Sequence, residues 1–362
     1  MSPRSATPTP STVTAAGPAV VAGTDLLGAL TAIRGELGDP HLPNLPLLPD
    51  RGPGADAAGR AAALLVDLPV EVGPHGWRVT ARPGEDLRRS RSLLASDVNV
   101  LADLVGVEQT SARRIGVAVL GPFSLATMLD LAGGERLLAD HGARRDLADS
   151  LAAGLAAQLQ GLRVALPDAA VTLRVDEPAL DGVLAGTVPT ASGYRTLRAV
   201  DRGEVRQVLR RVVEVVRDAG ATAVVLAVEV GALPLSVARD VEADGLAVPA
   251  TALAVTTPST VPDALGDYLD GGGAIVVELD TAAAGGNIRQ VNDLAGQVLD
   301  PWRRLGLPAA RLPQVTVTSR TPRTALTGTT ASTTAPDAGR LPTLLRRLVA
   351  AADALDTTAR DG

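Results

Sequence analysis

Carboxylates stand at or just past the ends of otherwise apolar runs in this chain: Asp176 and Glu177 in TLRVDEPAL, Glu229 in VVLAVEVG, and Glu278 and Asp280 in AIVVELD. An acid at the end of a buried strand is costly to desolvate unless something pairs with it, so such positions are candidates for chemistry. Two facing carboxylates can divide acid and base roles, as in glycoside hydrolysis. Asp176 and Glu177 are neighbours on an extended segment and point to opposite sides, so only one of them can look into a shared pocket. Pro178 holds Glu177 extended and helps end the strand there. The set that could converge from different strands is therefore Asp176, Glu229 and Glu278. Each also has a plainer reading as a solvated strand end, a loop cap or the partner of an Arg. Sugar chemistry is disfavoured, because one Phe, two Trp and two Tyr leave few rings to stack on a sugar.

Other chemistries find little support. The chain has no Cys, hence no disulfide, thiol nucleophile or thiolate metal site. Its three histidines, His41, His75 and His141, lie far apart without paired ligand spacing. His141 falls in a helical stretch and reads as structural, whereas His41, in GDPHLPNLPLLP, could cross the mouth of a barrel. GxSxG is absent. The Gly pair of AAAGGNIRQ (282–290) precedes a helix start where amides could hold an anion, which alone is a weak signal.

The elements that must position the acids follow from composition and period. The 34 basic residues are all Arg, matching the skew toward Ala, Gly, Val and Leu expected of a GC-rich genome. A core of Val, Leu and Ala suits strands covered by helices on both faces. The net charge of −6 offers no basic surface for nucleic acid or an anionic membrane, and neither partner is expected. The opening MSPRSATPTPSTVTAA has no apolar leader segment, so a cytoplasmic location is expected, with residues 1–12 as a disordered tail.

In GEVRQVLRRVVEVVRDA (203–219) one helical stripe carries Val205, Val208, Leu209, Val212, Val213 and Val216, with Asp201 and Glu204 at the start and Gly220 at the end. The next segment, 222–230, reads as a strand buried on both faces. The alternation recurs, with strands expected near 11–21, 66–72, 115–121, 171–177, 222–230, 245–249, 274–279 and 314–319. Helices are expected near 24–36, 85–105, 134–166, 203–219, 233–242, 262–271, 289–305 and 341–356. The pattern implies an α/β fold, a single (β/α)8 TIM barrel over residues 13–358, with an open doubly wound sheet as the alternative. VEVGPHGWRVT (70–80) reads as a small inserted hairpin near the rim, and TPRTALTGTTASTTAPDAG (321–339) as a long loop.

GELGDPHLPNLP (35–46), RGPGADAAGRAAALLVDLPVEV (51–72), HGWRVTARPG (75–84), LGPFSLAT (120–127), RVDEPAL (174–180) and LDPWRRLGLPAARLP (299–313) together resemble the cobalamin-independent methionine synthase family. The resemblance is to the catalytic C-terminal barrel of its actinobacterial branch, within the uroporphyrinogen decarboxylase and methionine synthase superfamily. It implies a (β/α)8 fold and methyl transfer from a methylated folate to homocysteine on a zinc ion held by His, Cys, an acid and a second Cys. It also implies that Asp176 binds the amino group of the amino-acid substrate. The zinc ligands map onto Ala227, Glu229, Pro249 and Thr321, so no zinc or other cofactor is expected and catalysis of the family reaction is in question. Homocysteine, methionine or folate remain as small-molecule ligands. The alternatives are methyl transfer by a non-zinc route, a non-catalytic amino-acid-binding or regulatory partner of an authentic synthase, and another activity of the mouth carboxylates on the same fold.

Overall fold

β-branched and Leu-rich runs bounded by Gly, Asp and Pro fold as short parallel strands, and the amphipathic segments between them fold as helices. A computed structural model of the chain describes residues 11–74, 76–108, 113–228, 235–254, 261–283, 286–322, 325–326 and 335–361. The barrel strands are β1 (Thr14–Ala15), β2 (Asn44–Leu45), β3 (Arg114–Leu120), β4 (Ala170–Glu177), β5 (Ala223–Val228), β6 (Gly245–Pro249), β7 (Ala274–Leu279) and β8 (Val315–Ser319). Every pairing in this sheet is parallel, and each strand lies beside its sequence neighbour, with β8 returning to β1. Parallel bridges Ala16–Leu42 and Val20–Leu47 join the β1 and β2 segments, so the sheet closes on itself as a (β/α)8 barrel.

Helices cover the outside. The segment with the cleanest stripe forms the helix Arg202–Asp218, which buries Val205, Leu209, Val212, Val213 and Val216. Asp201 caps it, accepting from the amides of Gly203 at 2.7 Å and Glu204 at 3.2 Å, and Gly220 follows at φ +106°. The expected helix 134–166 is shorter, His141–Ala165, because Gly134 turns the chain at φ +82° and Asp140 supplies the cap. His141 opens that helix on the surface, 3.2 Å from Glu204. Among the described residues no helix is long and apolar enough to cross a membrane.

Two expectations need correction. The second barrel strand is Asn44–Leu45 and not 66–72. Pro43, Pro46 and Pro49 hide it, since proline cannot donate to a ladder and leaves only a two-residue strand. Val70–Gly73 instead pairs antiparallel with Gly76–Val79 in the expected hairpin; His75 lies outside the described residues. His41 sits at the N-terminal end of the barrel and not at its mouth. Its Nδ1 accepts from the Ala15 amide at 3.1 Å, and the neighbouring Pro40 carbonyl accepts from Arg114 at the start of β3. Of the expected tail, residues 1–10 lie outside the described residues; Val13 is buried and its amide donates to Asp356. Most of 321–339 also lies outside them.

Side chains facing outward from the strands join one large core with the helices. Val225, Ala227 and Ala247, with Val276 against them, form a small separate cluster inside the bore. The N-terminal half of the bore is a cavity of about 230 Å³ walled by Gly116, Thr172, Ala223, Gly245, Ala274 and Thr316. Most TIM barrels fill this space with bulky branched residues, so the small side chains here leave an open bore.

Outside the barrel, the helix His141–Ala165 touches the end of the helix Ala57–Leu64 at Gly154, where a Cβ would collide with the Leu64 carbonyl oxygen. Gly154→Ala should lower unfolding stability by about 2 kcal/mol through backbone displacement. On the same helix Gly161 has open space around its Cβ position, and Gly161→Ala should raise stability by up to ~1 kcal/mol. Urea denaturation of both variants beside the parent checks the pair of signs.

Candidate functional site at the C-terminal end of the barrel

Residues two apart on a strand share a face, so Arg174 and Asp176 of β4 both point into the bore. Glu278 reaches the same point from β7, on the face of that strand that carries Val276. Arg174 Nε donates to Asp176 Oδ1 at 2.7 Å, and its Nη2 donates to Glu278 Oε1. All three are largely buried, with side-chain exposures of 16% for Arg174, 3% for Asp176 and 9% for Glu278. Burial alone would weaken the guanidinium's hold on its proton, but the two carboxylates outweigh it and raise its pKa, so Arg174 stays charged. Burial pushes the Asp176 carboxyl above its usual range, Arg174 opposes that, and Glu278 adds to it. The group thus sets two acids against a single guanidinium. Asp176 Oδ2 and Glu278 Oε2 take no hydrogen bond from a described residue.

Glu177 points the other way, as its place beside Asp176 requires, and is fully buried. Its carboxylate accepts from the amides of Phe123 at 2.9 Å and Ser124 at 2.7 Å, and from the Ser124 hydroxyl at 2.6 Å. The same hydroxyl accepts from the Ala179 amide at 3.0 Å, and the Gly121 amide donates to the Asp176 carbonyl at 2.7 Å. The segments after β3 and β4 are thus tied together. Gly121 permits this close approach, since a Cβ there would meet the Glu177 side chain and displace its carboxylate. Beside these segments lies a cavity of about 660 Å³, lined by Trp77 and Gly76 of the hairpin and by Met128, Arg136, Ala179 and Asp181.

The positions taken from the resemblance are distributed as follows. Ala227 is in register with Asp176, and Pro249 with Glu278, so both belong to the upper rim of the bore. Thr321 is buried just past β8. Glu229 lies outside the described residues, as does the chain directly after β5. Alanine and proline side chains carry no donor atom for a metal, so this residue set does not fit a zinc ion. Among the described residues no group of three or more His, Asp or Glu could hold a metal. Arg174 and Ser124 stand within RVDEPAL and LGPFSLAT without a role that the sequence assigns them; the signal for Arg174 is its place two residues before Asp176, the spacing that shares a strand face.

No protein-family model matches the chain, and no curated protein matches it. Among solved structures, a methyltransferase from Methanosarcina mazei is similar at 12% identity and a TM-score of 0.50, over 96% of this chain and 94% of that one. A B12-independent methionine synthase from Shewanella sp. W3-18-1, in complex with selenomethionine, is similar at 13% identity and a TM-score of 0.46, over 79% and 72%. A GH5-4 endoglucanase from Clostridium acetobutylicum stands at 9% identity and 0.38, over 90% of each chain. The likeness is one of fold.

Burial holds the Glu177 carboxyl up to about 7 from an ordinary 4.5, against the pull of its three donors. The folded state then keeps a proton that the unfolded chain has released. Stability from this group is present in full below pH 4.5 and is lost as the pH rises to about 7, by ~3 kcal/mol at most. In Glu177→Gln that part of the pH dependence should vanish, which urea midpoints across this range would reveal; equal slopes in parent and variant would contradict it.

Proposed function

We propose that this chain is a methionine-synthase-like barrel that binds an amino acid at its mouth and does not carry out the family's zinc-dependent methyl transfer. The observation that carries the reading is the Arg174–Asp176–Glu278 group, in which each acid keeps one oxygen clear of Arg174 to accept from the ammonium of homocysteine or methionine. Asp176 and Glu278 would orient that ammonium with their remaining oxygens, while Arg174 holds both carboxylates in place. The cavity of about 660 Å³ beside the rim has room for a larger second ligand such as a folate.

The thiol is the weak point for catalysis. A free thiol with a pKa near 8.5 is only a few per cent ionised at neutral pH, and two buried acids nearby offer it no positive charge beyond the Arg174 they already hold. A metal would supply the missing Lewis acidity, but Ala227 and Pro249 provide no ligand for one. Ligand binding, or a regulatory role beside an authentic synthase, is therefore favoured over turnover.

Calorimetric titration with L-methionine and L-homocysteine should show binding, and Asp176→Asn should weaken it by about 10- to 100-fold, the worth of one charge-assisted hydrogen bond. Absence of heat with both amino acids, from a parent protein shown to be folded, would end the proposal. The chain should not restore growth of a methionine auxotroph, and restoration would refute the loss of the family reaction.

A further inference from the structure

Between the barrel wall and the helices Ala57–Leu64, Glu85–Glu108 and His141–Ala165 lies a second, small cavity of about 40 Å³. Its walls are mainly Leu and Val side chains, interrupted by Arg60 and Gln158. Arg60 Nη1 and Gln158 Nε2 are both buried and both lack a hydrogen-bond partner. Two unmet donors on residues that line one largely apolar cavity are unusual, because a buried polar group without a partner carries the full cost of its desolvation.

The local charges point the same way. Arg60, only 5% exposed, pairs through Nη2 with Asp97, and Arg51 Nη1 reaches the same carboxylate at 2.8 Å. Two guanidiniums thus share one buried acid. Asp56 is the other acid near Arg60, and its Oδ1 is engaged by the Gly59 amide at 2.6 Å. Burial, with the charge of Arg51, lowers the Arg60 pKa to about 10, so the guanidinium is still charged at neutral pH.

We propose that the cavity between Arg60 and Gln158 is a binding site for a single halide-sized monovalent anion. Both unmet atoms are donors, which excludes a cation, and the volume suits a body about as large as one or two water molecules. The anion accepts from Arg60 Nη1 and Gln158 Nε2 and balances the guanidinium in a place that water reaches poorly. It also fixes the helix Ala57–Leu64 against the helix His141–Ala165, away from the mouth, so the site is independent of the function proposed above.

Crystals grown with bromide in place of chloride should give an anomalous peak within hydrogen-bond distance of both donors. In solution, bromide or chloride should raise Tm by about 2 °C over gluconate at matched ionic strength. Gln158→Leu, which suits the apolar walls, should abolish the halide-specific part of that shift. A cavity with water density and no anomalous signal, a rotated Gln158 amide bonding Arg60 through its oxygen, or an equal halide shift in Gln158→Leu would each overturn the proposal.

Discussion

A guanidinium taken out of water must be met by carboxylates, and Arg174 meets two, one on its own strand and one from β7, three strands around the ring. Between the two strands the inner positions hold Val225 and Ala227 on β5, and Gly245 and Ala247 on β6, none of them larger than valine. A bulky residue at any of these places would occupy the path of the Arg side chain. The open bore and the charged group at its upper end are therefore two aspects of one arrangement.

Small residues set the packing outside the bore as well. With a single Phe, the core relies on Leu, Val and Ala, and elements approach closely where glycine permits it. Gly154 lets one helix meet the end of another, and Gly121 lets the Glu177 carboxylate sit against the backbone after β3. Glu177 then links two rim segments through Ser124, so a buried acid serves the shape of the rim while its neighbour Asp176 serves the charge of the bore.

Much of the architecture was legible because it depends on period. The stripe of Val205, Leu209, Val212 and Val216 marks a helix in any context, and Asp201 and Gly220 mark its ends through local hydrogen bonding and φ. The hairpin around Gly73 was equally local. The strand Asn44–Leu45 was not, because its prolines obscure the pattern and its pairing depends on neighbours distant in sequence. His41 was misplaced for the same reason, since the end of the barrel at which a loop lies follows from strand direction and closure.

By itself the sequence determined the α/β alternation, the opposed directions of Asp176 and Glu177, and the absence of any thiolate, all of which follow from residue identity and short-range geometry. Only the tertiary structure decided which acids meet. Asp176 and Glu278 lie about a hundred residues apart in the chain and converge because barrel closure brings β4 and β7 to face one bore, with Arg174 long enough to span it. The pairing of Arg60 with Asp97, and the unmet donors beside it, likewise follow from helix packing that no local pattern encodes.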